Sequence, residues 1–251
     1  MKGWFSMTMQ FFAPRGADGS PMRIPQSFRR TVKWLPQIGD IFPRFVVDST
    51  HGLLDFWDWA DGHWVLLFSH PAANTPVCTT ELGSIAANRA DFEALGAKAL
   101  GLTVSSIDEQ VAWHKDIEDF YGEPIWFPTA HDPEGAVSEV LGMNHAKEHT
   151  EWPIRKSFII DPQMRIRMIF EYPIFIGRSI EETLRVIEAL QLRDNTGAAT
   201  PGDWLDDDPV IIADDRCELE VVRTFGSVSK MLLPYLRVVR TDDKRFRMRT
   251  R

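Results

Sequence analysis

The residues best suited to chemistry surround Cys78, within the stretch that runs from Trp64 to Leu82. The apolar segment Val65 to Phe68 favours a strand that is buried on both faces. Thr75 is a favourable N-cap residue, and Pro76 then falls at the first position of a helix. Cys78 would be the third helical residue, beside unpaired backbone N–H groups and the positive end of the helix dipole. This position favours the thiolate, which is the nucleophilic form of cysteine.

The local pattern around Cys78 leaves two interpretations open. Most free cysteines are small buried hydrophobic residues with no chemical role. A thiolate at a helix start can instead attack a peroxide and become a sulfenic acid.

Two separate motifs resemble segments of a known enzyme family. Pro71, Thr75 and Cys78 stand in a P-x-x-x-T-x-x-C spacing that resembles the active-site motif of peroxiredoxins. The run FSHPAANTPVCTTELG at 68–83 resembles the one-cysteine, peroxiredoxin-6-like subfamily of the AhpC/TSA thiol peroxidases. The segment ATPGDW at 199–204 resembles a stretch that follows the main domain in that subfamily. Because the two motifs are far apart and in the expected order, the resemblance is specific.

The resemblance implies an antioxidant oxidoreductase with a redox-active centre. Such a peroxiredoxin would be a thiol-dependent peroxidase that reduces hydrogen peroxide and alkyl hydroperoxides without a cofactor, through a sulfenic acid on Cys78. An alternative with the same cysteine is a peroxide sensor or redox-switched holdase. A third interpretation is a thioredoxin-like binding module in which Cys78 is inert.

The resemblance also assigns roles to three residues besides Cys78. Arg155 would supply the cation that favours the thiolate and would stabilise the leaving oxygen. Thr75 would cap the helix and hydrogen-bond the peroxide. Pro71 would shape the loop and shield the sulfur from water.

Supporting roles follow for Glu81, Arg178 and His70. Glu81 is similar to a family glutamate that orients the arginine, and Arg178 matches a second family arginine. His70 would hydrogen-bond near the thiol and tune entry or reduction. The alternatives are a surface ion pair for each arginine and a structural role for the histidine.

Reduction of the sulfenic acid is expected to use an external thiol of the thioredoxin, glutaredoxin or glutathione type. Cys217 lies 139 residues after Cys78 and matches no recognisable resolving motif. It remains the alternative resolving cysteine, although a strain-free disulfide needs Cα atoms within about 7 Å.

Composition excludes several other classes of protein. Two cysteines in 251 residues do not make a disulfide scaffold, and neither has zinc-ligand spacing, so we expect no metal. A net charge of −8 argues against nucleic-acid binding. No apolar run approaches the roughly 20 residues of a membrane span. We expect a protein of the cytoplasm, a reducing compartment.

Changes in composition suggest three regions. Residues 1–33 form an N-terminal extension with six basic residues and one acidic residue, so an organelle-targeting segment is the alternative to a cytoplasmic location. Residues 34–194 would be a thioredoxin-like peroxidase domain. Residues 195–251 would be a C-terminal peroxiredoxin module that makes contacts in a homodimer, with a ring of dimers as the larger alternative.

Periodicity predicts an α/β fold: a thioredoxin-like sandwich with a mixed β-sheet, plus the small C-terminal module. A helix is expected over 79–95, and a Ser106–Glu109 capping box should open another that runs to Tyr121. Residues 132–141 also favour a helix, whereas 51–62 suggest a short apolar segment between two turns. Strands at 155–160 and 164–170 should form a hairpin.

Overall fold

The computed structural model describes residues 35–240. The N-terminal extension at 1–33 and the basic end KRFRMRTR at 244–251 lie outside the described residues. The prediction of a targeting segment therefore concerns a part of the chain that is not described.

Residues 35–240 form ten strands and seven helices. The strands are β1 (Val46–Ser49), β2 (Gly52–Asp55), β3 (Trp64–Ser69), β4 (Ala97–Thr103), β5 (Thr129–His131), β6 (Arg155–Ile160), β7 (Ile166–Tyr172), β8 (Val210–Ile212), β9 (Lys230–Leu233) and β10 (Leu236–Val239). The helices are α1 (Phe56–Ala60), α2 (Pro76–Ala87), α3 (Arg89–Ala94), α4 (Ile107–Tyr121), α5 (Ala136–Val140), α6 (Ile180–Thr196) and α7 (Glu218–Phe225).

The larger sheet has seven strands in the order β2-β1-β5-β4-β3-β6-β7. β4 pairs in parallel with both β3 and β5, while β6 pairs antiparallel with both β3 and β7. The sheet is therefore mixed, and the α/β fold with a mixed sheet is confirmed.

The central strand β3 separates two hydrophobic cores. All six of its residues are buried, as the uninterrupted apolar run predicts. Leu66 and Phe68 face a core built with α2, α3, α4 and α6. Val65 and Leu67 face the opposite core, which includes α1 and the end of α5. Helices thus cover both faces of the sheet, and β3 delivers the chain to the site from its centre.

Helix α4 begins as the sequence predicts. The Ser106 hydroxyl accepts a hydrogen bond from the backbone N–H of Glu109, and the Glu109 carboxylate accepts one from the backbone N–H of Ser106. Gly122 ends the helix with a φ of 75°, a left-handed conformation that glycine adopts without steric cost. The capping box and the helix end are both confirmed.

The helix predicted over 79–95 is instead two helices. The chain turns at Asn88, where the side-chain Nδ2 donates to the carbonyl of Ser84 at 2.8 Å. This local bond gives the backbone an alternative to a continuing helix. The hydrophobic spacing alone did not reveal the interruption.

Two other local predictions were wrong. Residues 51–62 contain β2 and α1 rather than an apolar segment between turns, and Asp55 caps α1 through its carboxylate. The helix predicted over 132–141 spans only Ala136–Val140. Asp132 nevertheless caps it from outside, because its carboxylate accepts from the backbone N–H groups of Val137 and Ser138.

A second, three-stranded sheet follows α6, in the order β8-β10-β9. Trp204, Val210, Val221, Phe225 and Val239 share a separate hydrophobic cluster there. The cluster also includes Leu192 of α6, and the predicted C-terminal module and its boundary at residue 195 stay predictions. Within residues 35–240, no helix is both long enough and apolar enough to cross a bilayer.

The close approach of α2 to α4 generates a prediction about Gly83. A Cβ added at Gly83 would lie 2.5 Å from the Tyr121 ring, so Gly83→Ala forces the two helices or the ring apart. We expect the free energy of unfolding to fall by about 1–3 kcal/mol, measured by urea denaturation.

The matched control is Gly202→Ala, because nothing lies within 4 Å of a Cβ at that position. Equal losses of stability in the two variants would contradict the packing argument.

Candidate active site

Cys78 lies in the first turn of α2, at the third helical position that the sequence predicts. The first helical hydrogen bond runs from the N–H of Thr79 to the carbonyl of Thr75, at 3.0 Å. The backbone N–H of Cys78 comes before this bond and belongs to the N–H groups that have no partner within the helix. The side chain is completely buried, against the core that includes Phe68 and Leu82. A sulfur in this place is shielded from water and faces the positive end of a helix.

Arg155 reaches the sulfur from β6. Its Nη1 lies 3.2 Å from Cys78 Sγ and donates to it, and the same nitrogen donates to a Glu81 carboxylate oxygen at 2.6 Å. The Nε group donates to the backbone carbonyl of Ile174 at 2.7 Å. Arg155 is only 2% exposed, and its guanidinium is held by these three hydrogen bonds.

Glu81 joins Arg155 to Arg178. Arg178 Nε donates to one carboxylate oxygen at 2.9 Å, and Nη2 donates to the other at 2.8 Å. The backbone N–H of Arg178 also donates to Glu81, at 2.8 Å. Arg178 is further held by the Ser157 hydroxyl at 3.0 Å and by the face of Phe68 at 5.1 Å. The two ion pairs are buried, so the surface alternative does not apply to either arginine.

The pKa of the Glu81 carboxyl reflects opposing effects. Burial raises the pKa, but the charge and hydrogen bonds of Arg178 and the charge of Arg155 outweigh it and hold the pKa below its usual value. Glu81 is therefore ionised. It supplies one negative charge to two buried guanidinium groups, which leaves a net positive charge of one beside the sulfur.

Thr75 occupies the N-cap position of α2, but its hydroxyl does not cap the helix. The Oγ1 group donates to the carbonyl of Ala72 at 2.9 Å, across the turn that precedes the helix. The predicted capping role is wrong, because capping requires the hydroxyl oxygen to accept from a backbone N–H of the first turn, and Thr75 makes no such bond. The lone pairs of the hydroxyl oxygen can still accept a hydrogen bond from a ligand.

Pro71 is buried at the start of the same turn, and its carbonyl accepts from the Thr103 hydroxyl at 3.3 Å. Asn74, at the other side of the turn, has a φ of 57°. The turn is thus pinned to the end of β4, close to the start of α2. This position agrees with a shielding role for Pro71, which stays a prediction.

His70 is completely buried, yet neither ring nitrogen has a hydrogen-bond partner within the described residues. The hydrogen bond that we expected His70 to make near the thiol is therefore absent from the described residues. The ring lies instead between Phe68 and Trp113, with centroids 6.1 and 5.6 Å away. Burial, and then the charges of Arg178, His114 and Arg155, hold the pKa of His70 well below its usual value. His70 is therefore neutral and adds no charge to the site.

Cys217 is exposed and lies at the N-cap position of α7, in the C-terminal module. Both cysteines are free thiols. The resolving role of Cys217 stays a prediction. Within residues 35–240, no group of three or more His, Cys, Asp or Glu side chains could hold a metal ion.

Two contacts of the site could not be read from residue types. The carbonyl of Ile174 anchors Arg155, and a backbone acceptor leaves no signal in a sequence. Trp113 donates through Nε1 to the Thr79 hydroxyl at 3.0 Å, and so ties α4 to the helix that carries Cys78. Trp113 lies in the helix predicted to run to Tyr121, but no role was predicted for it.

This chain is similar to several known proteins. Residues 38–169 match the AhpC/TSA family. A peroxiredoxin of Aeropyrum pernix is 41% identical over 172 residues, which are 68% of each chain. A 1-Cys peroxiredoxin of Dictyostelium discoideum is 34% identical over 83% of this chain and 86% of its own.

A solved structure is similar along most of its length. It is a yeast mitochondrial 1-Cys peroxiredoxin, studied for its thiol resolving mechanism via glutathione/thioredoxin systems. The TM-score is 0.74 at 35% identity, and the match covers 81% of this chain and 99% of the other.

The buried ion pairs of Glu81 generate a prediction about stability. Glu81→Gln removes the negative charge that two buried guanidinium groups share, so we expect the free energy of unfolding to fall by about 3–5 kcal/mol. Chemical denaturation measures this loss.

The control is Glu93→Gln, since Glu93 forms an exposed pair with Arg89 on α3. That variant should lose less than about 0.5 kcal/mol. A loss of similar size in both variants would mean that the buried network does not support the fold.

Proposed function

This chain belongs to the peroxiredoxins of the AhpC/TSA family and is a thiol peroxidase, and on that premise we propose that Cys78 is its peroxide-reducing residue. The observation that carries the proposal is the 3.2 Å contact between Arg155 Nη1 and Cys78 Sγ in a buried site with excess positive charge. A thiolate at Cys78 would neutralise that charge.

In the first step the Cys78 thiolate attacks one oxygen of the peroxide. A sulfur–oxygen bond forms while the oxygen–oxygen bond breaks, and sulfur supplies the electron pair. The other oxygen takes up a proton and leaves as water from hydrogen peroxide, or as an alcohol from an alkyl hydroperoxide. Arg155 stabilises the negative charge that develops on the leaving oxygen, and the Thr75 hydroxyl orients the peroxide.

In the second step an external thiol attacks the sulfenic acid. A mixed disulfide and water form, and a second thiol then releases Cys78 and carries away the disulfide. We propose a reductant of the glutathione or thioredoxin type, because the similar yeast protein is resolved through those systems. A glutaredoxin-type donor is a third candidate of the same chemistry. Cys217 takes no part in this cycle.

The sensor or holdase alternative is not favoured, since the relatives are peroxiredoxins. A sensor would consume about one equivalent of peroxide and stop, whereas a peroxidase continues while thiol is supplied.

The need for a reduced thiol donor favours a reducing compartment. We propose the cytoplasm, and an organelle is the alternative. The likeness to a yeast mitochondrial peroxiredoxin supports the organelle, and the basic N-terminal residues fit an import signal.

A homodimer is proposed from the C-terminal module. β9 is an edge strand, and all four of its residues are exposed, among them Met231, Leu232 and Leu233. Tyr235 and Leu219 are about four-fifths exposed in the same module. An apolar edge strand is a ready surface for pairing with a second copy.

Paired cysteine variants test the catalytic cycle. Cys78→Ser should abolish turnover of hydrogen peroxide with an external thiol, because no nucleophile remains. Cys217→Ser should keep the wild-type rate, measured as thiol-dependent peroxide consumption. Loss of turnover in both folded variants would make Cys217 the resolving cysteine and contradict the one-cysteine cycle.

Sedimentation velocity tests the dimer. The wild-type chain of 28.7 kDa should sediment with twice that mass, and Leu232→Glu should shift it toward the monomer. Asp206→Glu, a conservative exchange in the turn before β8, serves as the control. A monomeric wild-type protein would contradict the proposal.

A further inference from the structure

Arg155 depends on a backbone carbonyl in a turn that faces solvent. The turn spans 173–177 and follows β7, and its Ile174 carbonyl accepts from Arg155 Nε at 2.7 Å. The next residues, Phe175 and Ile176, are 78% and 53% exposed. The turn that orients the Arg155 guanidinium is therefore exposed to solvent on its outer side.

One side chain from another loop fixes the anchoring residue. Glu148 Oε1 accepts a hydrogen bond from the backbone N–H of Ile174 at 3.0 Å. Ile174 thus receives Arg155 on its carbonyl and Glu148 on its N–H group. A hydrogen bond to a carboxylate is stronger than one between neutral groups. Glu148 is connected to Cys78 through two residues, Ile174 and Arg155.

The loop that carries Glu148 is closed by its own contacts. The N–H of Ile154 donates to the carbonyl of Met143 at 2.8 Å and joins the two ends of the loop. His149 Nδ1 accepts from the N–H groups of Glu151 and Trp152, at 3.1 and 3.0 Å. The His149 ring also stacks on Trp152, with centroids 4.4 Å apart. These contacts fix the backbone of the loop on which Glu148, an exposed residue, lies, and the N–H of Glu148 donates to the carbonyl of His145 at 2.8 Å.

We propose that Glu148 is a positioning residue for the peroxidase reaction, which acts through Ile174 to aim the Arg155 guanidinium at the Cys78 sulfur. This inference rests on the proposed function of Cys78 and Arg155. Glu148 touches neither the sulfur nor the peroxide. It holds the acceptor of Arg155 Nε, and without that acceptor the guanidinium can rotate while it keeps its bond to Glu81.

Rotation would weaken the contact that favours the thiolate. The Arg155 Nη1 group serves both Cys78 and Glu81, so its direction toward sulfur depends on the plane of the guanidinium. The Nε bond fixes that plane. A poorer contact lowers the fraction of Cys78 that is ionised at a given pH, and with it the rate of attack on peroxide.

The test compares variants of Glu148 in a Cys217→Ser background, so that Cys78 is the only thiol. The rate of alkylation by iodoacetamide is measured across pH. Glu148→Ala should shift this profile upward by about 0.5–1 pH unit, and at pH values below the midpoint of the parent's profile it should lower peroxide turnover by about three- to tenfold. Glu148→Gln should resemble the parent, because its amide oxygen can accept the same hydrogen bond.

Glu151→Ala is the matched control, since Glu151 is an exposed acid in the same loop. It should leave the profile unchanged. An unchanged profile in folded Glu148→Ala would overturn the inference, and so would an equal shift in Glu148→Ala and Glu151→Ala. If Glu148→Ala does not fold, Glu148→Asp tests the same contact, because its shorter side chain withdraws the carboxylate and should shift the profile in the same direction.

Peroxide turnover and the alkylation profile test the proposed function and this inference separately. A parent protein without peroxide turnover would overturn the peroxidase cycle. The alkylation profile would still report whether Glu148 controls the thiolate.

Discussion

The site depends on a charge imbalance inside the protein. Arg155 and Arg178 are both buried and share one ionised carboxylate, Glu81. Since an unneutralised charge in a protein interior is costly, the site favours one more negative group. The group that Arg155 touches is the Cys78 sulfur. The same imbalance that would destabilise a plain core is the charge that the proposed thiolate at Cys78 would neutralise, and the neutral His70 adds no further charge.

The fold brings these groups together from separate elements. Cys78 and Glu81 are three residues apart on α2 and therefore share a face of the helix. β6 brings Arg155 to the same side of the sheet as Ser157, and the turn before α6 brings Arg178. Burial within the core that contains Phe68 keeps water away from all of them. Long-range packing, and not local propensity, therefore builds the site.

Sequence patterns predicted the elements better than the contacts. The uninterrupted apolar run of β3 and the Ser106 capping box each have one physical meaning, so both were predicted well. The break at Asn88 escaped because one side-chain hydrogen bond decides it. Family resemblance named Arg155, but no pattern could show the Ile174 carbonyl that anchors it or the hydroxyl of Thr75 bonding to Ala72. Such contacts depend on tertiary distances.

The most direct test of the account is the ultraviolet absorbance of the Cys78 thiolate as a function of pH, in protein that carries Cys217→Ser. The account predicts a thiolate signal at neutral pH that largely disappears when Arg155 is replaced by glutamine. Arg223→Gln, an exchange on α7 outside the site, should leave the signal unchanged. A signal that appears only at alkaline pH in the parent, or one that survives the loss of Arg155, would contradict the account.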